Sequence, residues 1–421
     1  MRKKLLISLA VLSASALSAQ QALFVNGGQF GNPANNVNFV SFDIQSNTYT
    51  TIDTIQTQSV QSLLVDGTTA YVAAQDSIVS YNLTTNTRIA AAAFNGPSTK
   101  ALAVYGTNLL VGNFYGKTTD NLYVYDKATL ALLDSISQIT KAVSNMLVMG
   151  DSLYIAQNFS SSAFTDSAGY LSVVDLTTMS YVRDIVINNN GEGLGYLVPN
   201  STQNGFYGIN TNSIVAYNIA SGTITATPST YRLSASANKS SIKGDTLMLQ
   251  VNDNIGSLSL ATGLLIDTNI VSYAPTAFSF DTLNRTIYAT STDFFSYKEG
   301  KVFDLNGIEL DTLMVGFSPE VVQLYYGNIT QLVEKKKNQL SFQLHPNPAN
   351  ASDLVNLSGL STNSTEDVLV TITDIAGKTV SRENYSDSSM FSLPTANLNS
   401  GLYLVTVQSN NIIGVKKLII E

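Results

Sequence analysis

The side chains that usually move protons or hold metals near neutral pH are nearly missing from this chain. It has one histidine, His345, and no cysteine. Thiolate nucleophiles, disulfides and thiolate metal sites are therefore excluded. His345 lies beyond the repeats described below, so the repeats hold neither a Ser-His-Asp triad nor a histidine metal site. Carboxylates remain. Glu192, Asp253, Asp293 and Glu299 fall near turns, and two converging carboxyls can hydrolyse a glycosidic bond. These four are scattered and fit no motif. Asn252-Asp253-Asn254 offers oxygen ligands for calcium, but it lacks the loop length and acidic count of a dedicated site and reads as a turn. No catalytic residue, metal site or cofactor is assigned. Amides and aromatics form the other constellation, in residues 26–36, 112–121 and 157–169. Asn26, Gln29, Phe30, Asn113, Phe114, Tyr115, Asn158 and Phe159 are the candidate ligand-binding residues. Ring faces stack on sugars or flat ligands, and amides both donate and accept. Ordinary turn chemistry is the competing explanation for the asparagines.

The elements that would position these residues repeat at a spacing of about 40 residues. Leu63-Leu64-Val65-Asp66-Gly67 is followed by Ala70-Tyr71-Val72-Ala73, then Ile78-Val79-Ser80-Tyr81-Asn82. The same order recurs from Lys100 and from Ser144, with Gly106 and Gly150 at the position of Gly67. Short alternating runs split by Gly, Asn, Asp and Ser are strands. Four such strands per unit make one propeller blade. The third strand occurs near Phe39, Val79, Val124, Val173, Val215, Ser257 and Val302, so seven blades are expected. The Asp or Asn closing most copies should start the turn into the outer strand. The turn residues match poorly in blades five and six. Residues 141–149 and 90–93 are helix-compatible alone, but the repeat register makes them strands.

Chain order also predicts how the ring closes. The first unit starts at Leu23-Phe24-Val25-Asn26, a second strand with no inner strand before it. Residues 320–327 read as an inner strand with no blade after it, and they should complete blade one and remove the free edge. An open sandwich or two smaller domains are the alternatives.

Composition agrees with a sheet-rich exported protein. Hydrophobic residues make up 44% and charged residues 12%, with 21 Tyr and 17 Phe. Tyr and Phe favour strands. The net charge of -8 and the absence of a basic stripe argue against nucleic-acid binding. Arg2, Lys3 and Lys4 precede the apolar residues 5–12 and a small-residue stretch, as in a signal peptide cut near Ala19 or Gln20. The apolar run is too short to span a bilayer, so no transmembrane anchor is expected.

Ala70-Tyr71-Val72-Ala73 and Leu153-Tyr154-Ile155-Ala156, each followed by a strand ending near Asp or Asn, resemble the YVTN-type propeller repeats of bacterial surface proteins. The opening residues 23–31 look like the start of such propellers in Bacteroidetes. Lys335-Lys336-Lys337 marks a solvated linker. Beyond it stand Pro346-Asn347-Pro348, then Asp374, Gly377 and Lys378, then Gly401 and Tyr403, then Lys416 and Lys417 near the C-terminus. Short strands with Gly turns over this stretch imply a small β-sandwich. The set resembles the type A C-terminal sorting domain of type IX secretion cargo. That resemblance implies export across the outer membrane, contact with the type IX machinery and removal of the domain by a surface sortase.

The expectation is an all-β chain, a seven-bladed β-propeller followed by a small Ig-like β-sandwich sorting domain. Its parts would be a signal peptide (1–20), the propeller (21–327), a linker (328–341) and the sorting domain (342–421). The expected product is a secreted or outer-membrane-surface binding protein whose propeller face captures a glycan, small molecule or partner. A glycan-active enzyme using paired carboxylates and an adhesive or structural surface protein are the alternatives.

Overall fold

A computed structural model of the chain describes residues 21–327 and 342–421, except 97, 115–118, 158–168, 189–192, 351–352, 360–367, 375–378, 386–389, 394, 396–397 and 410–411. The signal-peptide and linker expectations fall outside the described residues. The chain divides into two compact units, Met1–Asn328 and Ile329–Glu421. Neither contains a helix among the described residues.

The first unit is a ring of seven antiparallel sheets. Blade two shows the plan: Ser62–Asp66, Thr69–Ala74, Ser77–Asn82 and Thr87–Ala93 run in order from inner to outer strand. Gly67, Gly106 and Gly150 all adopt φ near +60° in the first-to-second turns (60°, 57° and 58°), the left-handed conformation that glycine adopts at least cost. The third-to-fourth turns use the expected Asp or Asn. Asp43 accepts from the Gln45 and Ser46 N–H groups, Asn82 from Thr84 and Thr85, and Asp126 from Ala128 and Thr129. These donors, the Ser46 and Thr129 N–H groups first, hold Asp43 and Asp126 below the usual carboxylate range.

Blade one closes the ring as chain order requires. Pro319–Tyr325 pairs antiparallel with Gln21–Asn26, so both ends of the unit share one sheet. Val321, Val322, Leu324 and Tyr325 of that strand are buried. The stretches with local helical character are strands, Val143–Met149 and Thr87–Ala93. Apolar clusters fill the gaps between adjacent blades. Val25, Phe39, Val72 and Tyr81 join blades one and two, and Phe24, Val315 and Val322 join blades seven and one. Blades press on both faces of each sheet, so the middle strands are apolar on both sides. Ala22, Leu23, Phe24 and Val25 are all fully buried.

Blade six departs from the plan. Its inner position is split into Leu233–Ser234 and Ser240–Lys243, both paired with Thr246–Val251. Residues 235–239 form an excursion between them. There the Ser236 hydroxyl oxygen accepts from the Asn238 and Lys239 N–H groups.

The second unit is a two-sheet sandwich. Gln343–His345, Val355–Ser358 and Met390–Leu393 form one sheet. Thr379–Tyr385, Val368–Asp374, Gly401–Ser409 and Ile412–Ile420 form the other. Phe342, Val355, Leu357, Val370, Ile372, Val405 and Leu418 pack between them.

Candidate ligand-binding site

In a propeller every inner strand starts on the same face of the ring, so the first residues of the inner strands encircle the mouth of the channel. Three of those starts carry a β-bulge. Asn26 pairs with Pro319 and Val25 with Val321, which leaves Glu320 as the extra residue. The register likewise slips between Thr99 and Leu102 and between Val143 and Asn145, at Lys100 and Ser144. A bulge re-aims its extra side chain. Here it places charged or polar groups in strands that are otherwise apolar.

A cavity of about 550 Å³ opens at this mouth. Gln61, Lys100, Thr276 and Glu320 line it from the beginnings of inner strands. Ser236, Asn238 and Lys239 line it from the blade-six excursion, and Phe30, Phe294 and Phe295 from second-to-third-strand loops. The excursion reaches across the ring, where the Asn238 side-chain amide donates to the Gln61 carbonyl at 3.2 Å. Its backbone is tied to blade seven by the Phe278 N–H donating to the Asn238 carbonyl at 2.8 Å.

The charges are partly desolvated. Burial lowers the pKa of Lys100 against the opposing field of Glu320. The Lys100 ammonium lies 3.4 Å from the Gln61 amide oxygen and 5.0 Å from the Phe114 ring centroid. Lys239, also lowered by burial and then by Arg232, donates to the Gln250 amide oxygen at 3.1 Å. Burial pushes Glu320 up to about 7, opposed by Lys100. Gly27 makes room for that carboxyl, since a Cβ there would sit 1.8 Å from Glu320 Oε1.

The aromatic wall is held by its own loops. Phe30 is 67% exposed, Phe294 51% and Phe295 58%. Asp293 accepts from the Phe295 and Ser296 N–H groups and the Ser296 hydroxyl, and it ion-pairs with Lys298 at 3.0 Å. The Ser296 hydroxyl, first among these groups, holds Asp293 well below the usual carboxylate range. Gln29 accepts from the Asn32 and Asn35 amides, fixing the loop that displays Phe30.

Of the candidate ligand-binding residues, Phe30 lines the cavity and Phe114 stands beside Lys100. Asn26 is buried and donates to the Val315 carbonyl. Asn113 is buried, accepts from the Ser98 N–H and donates to Asn121. The amides of Asn26, Gln29 and Asn113 thus bind their own fold. Tyr115, Asn158 and Phe159 lie outside the described residues, as does Glu192. Asp253 ion-pairs with Arg232 on the surface, Asp293 orders its loop and Glu299 is exposed, so these three do not converge. Among the described residues no cluster of three or more acidic or histidine side chains is arranged to hold a metal. Lys100, Lys239 and Glu320 were not singled out from the sequence. The available signal was a charge opening an apolar inner strand, at the position that Gln61 and Ser144 occupy in their blades.

In the second unit the ends of the sorting motif meet. The Asn347 amide donates to the Lys417 carbonyl at 2.6 Å and accepts from the Ile419 N–H at 3.0 Å. Pro346 and Pro348 flank Asn347, and both follow cis peptide bonds. Tyr403 is buried opposite Asp374 and donates to the Asn399 carbonyl, with Gly401 opening its strand. Lys416 and Lys417 are exposed. Gly377 and Lys378 lie outside the described residues. His345 is exposed at a strand end.

Residues 343–421 match the family described as the secretion system C-terminal sorting domain. No curated protein matches the chain. Among solved structures, the extracellular domain of a protein described as a hybrid two-component system from B. thetaiotaomicron is 10% identical, with a TM-score of 0.50. That match covers 96% of this chain and 57% of the other, so this chain spans little more than half its length. Kuenenia stuttgartiensis hydrazine synthase is 13% identical over 60% of this chain and 86% of its own, with a TM-score of 0.48. The designed protein Ika8 is 14% identical over 73% and 97%, with a TM-score of 0.48. The first of these likenesses concerns fold alone. Among the described residues no helix is long and apolar enough to cross a membrane. An all-β chain with this tail is cargo of the type IX secretion system, delivered to the cell surface.

Proposed function

We propose that the propeller is a ligand-binding module displayed at the cell surface, and that its ligand occupies the cavity at the channel mouth. The composition of that cavity carries the reading. Three exposed phenylalanines stand around amides and partly desolvated charges, and the volume of about 550 Å³ suits a small molecule. Among the described lining residues Glu320 is the sole carboxylate, whereas acid–base glycoside hydrolysis needs two. That favours binding over the hydrolase alternative, and the open cavity favours a small ligand over a purely adhesive face. The same reading takes residues 1–20 as a signal peptide and 328–341 as the linker where processing separates the propeller from its tail. It also keeps the YVTN-type likeness and a Bacteroidetes origin.

A glycan array supplemented with haem and corrinoids, probed with the full exported chain, tests the reading. At least one ligand should be retained, and Phe295→Ala should weaken it. Retention of nothing across the panel would sink the binding reading.

A further inference from the structure

Lys100 and Lys239 differ from the ion-paired lysines of the ring. Lys127, Lys298 and Lys301 each have a carboxylate within 3.0 Å. Among the described residues Lys100 and Lys239 have none at ion-pair distance. Their partners are the amide oxygens of Gln61 and Gln250. A desolvated ammonium served only by neutral acceptors gains most from an incoming anion. Both line a cavity whose rim carries Phe30, Phe294 and Phe295, surfaces suited to a ring face. Gln61 and Asn238 beside them suit hydroxyls.

Building on the binding reading, we propose that the cavity selects a carboxylate-bearing saccharide of the uronate class, with Lys100 and Lys239 as counter-charges and the three phenylalanines against its ring faces. A neutral sugar of the same shape would leave Lys239 without a counter-charge and Lys100 with the Glu320 carboxylate alone. Glu320 is the internal competitor. It faces Lys100 from the first-blade inner strand and shares the cavity with Lys239. Ionised, it repels the ligand carboxylate and competes for Lys100; protonated, it does neither. Since its carboxyl titrates at about 7, uronate affinity should rise as pH falls from 8 to 6. The uronate itself stays ionised across that range.

The experiment is calorimetric titration of the full exported chain with digalacturonate and with neutral digalactose. Digalacturonate should bind at least about tenfold more tightly at pH 6. Lys100→Met and Lys239→Met should each erase most of that preference, and Glu320→Gln should flatten the pH profile. Should the variants fail to fold, the wild-type pH profile still decides. Equal affinity for the two sugars, a preference that survives both lysine changes, or affinity that does not rise from pH 8 to 6 would overturn the inference. Binding of neither sugar also overturns it, and the wider ligand panel then judges the binding reading separately.

Discussion

Glu320 stands on a bulge, half-buried, with Gly27 cleared of a side chain to admit it. Its carboxyl titrates at about 7 in the fold, against an ordinary value of 4.5. Between those values the native state keeps a proton that the unfolded chain has released. Stability therefore falls as pH rises from about 4.5 to 7 and stays level above, by an amount on the order of 3 kcal/mol at most. Glu320→Gln removes this decline. The variant should melt well above wild type at pH 8 and close to it at pH 4, which thermal melts at both pH values check. A difference of the same size at both would mean that Glu320 ionises normally. Asp293 acts on the site through its loop. Asp293→Ala frees the segment carrying Phe294 and Phe295, so ligand affinity should drop while the thermal midpoint barely moves. Titration and melting of the same variant separate the two effects.

The strand Pro319–Tyr325 carries the largest consequence at the level of elements. Ending the chain at Ser318 removes buried Val321, Val322, Leu324 and Tyr325 and leaves Gln21–Asn26 with an open edge. At roughly 1.5–3 kcal/mol for each large buried side chain, the loss is several kcal/mol, with aggregation through the bare edge. Ending the chain at Lys335 should leave the melting midpoint in place. Equal midpoints for the two truncations would contradict closure by this strand. This element was legible because it depends on repeat order: a first unit without an inner strand and a last strand without a blade complement each other. The Asp43, Asn82 and Asp126 turns were legible for a local reason, since a short side-chain acceptor followed by free N–H groups needs only its neighbours. The cavity was not. Lys100, Lys239 and Glu320 are far apart in sequence and gather only when the ring closes. Asn26 and Asn113 look like ligand amides in a loop, yet both are buried: Asn26 donates to the Val315 carbonyl, and Asn113 accepts from Ser98 and donates to Asn121. The blade-six excursion showed only as a poor match to the repeat, and its reach to Gln61 is a tertiary fact.

At the scale of the molecule, two units divide the work. The tail addresses the chain to the surface, and the propeller carries a cavity built from five of its blades. Deleting residues 342–421 should leave a folded propeller in the periplasm, because the tail has its own sheets and core. Surface proteolysis of intact cells checks this, and normal surface levels of the deleted form would contradict the sorting role. That a ligand binds at the channel mouth is the claim on which the propeller's role rests. It is tested most directly by comparing ligand-induced thermal shifts of the full chain and of a variant with Phe30, Phe294 and Phe295 all changed to Ala. A ligand present at 100 times its dissociation constant should stabilise the wild type by about 2.7 kcal/mol and the variant by far less. An equal shift in both proteins would place the ligand elsewhere and contradict the claim.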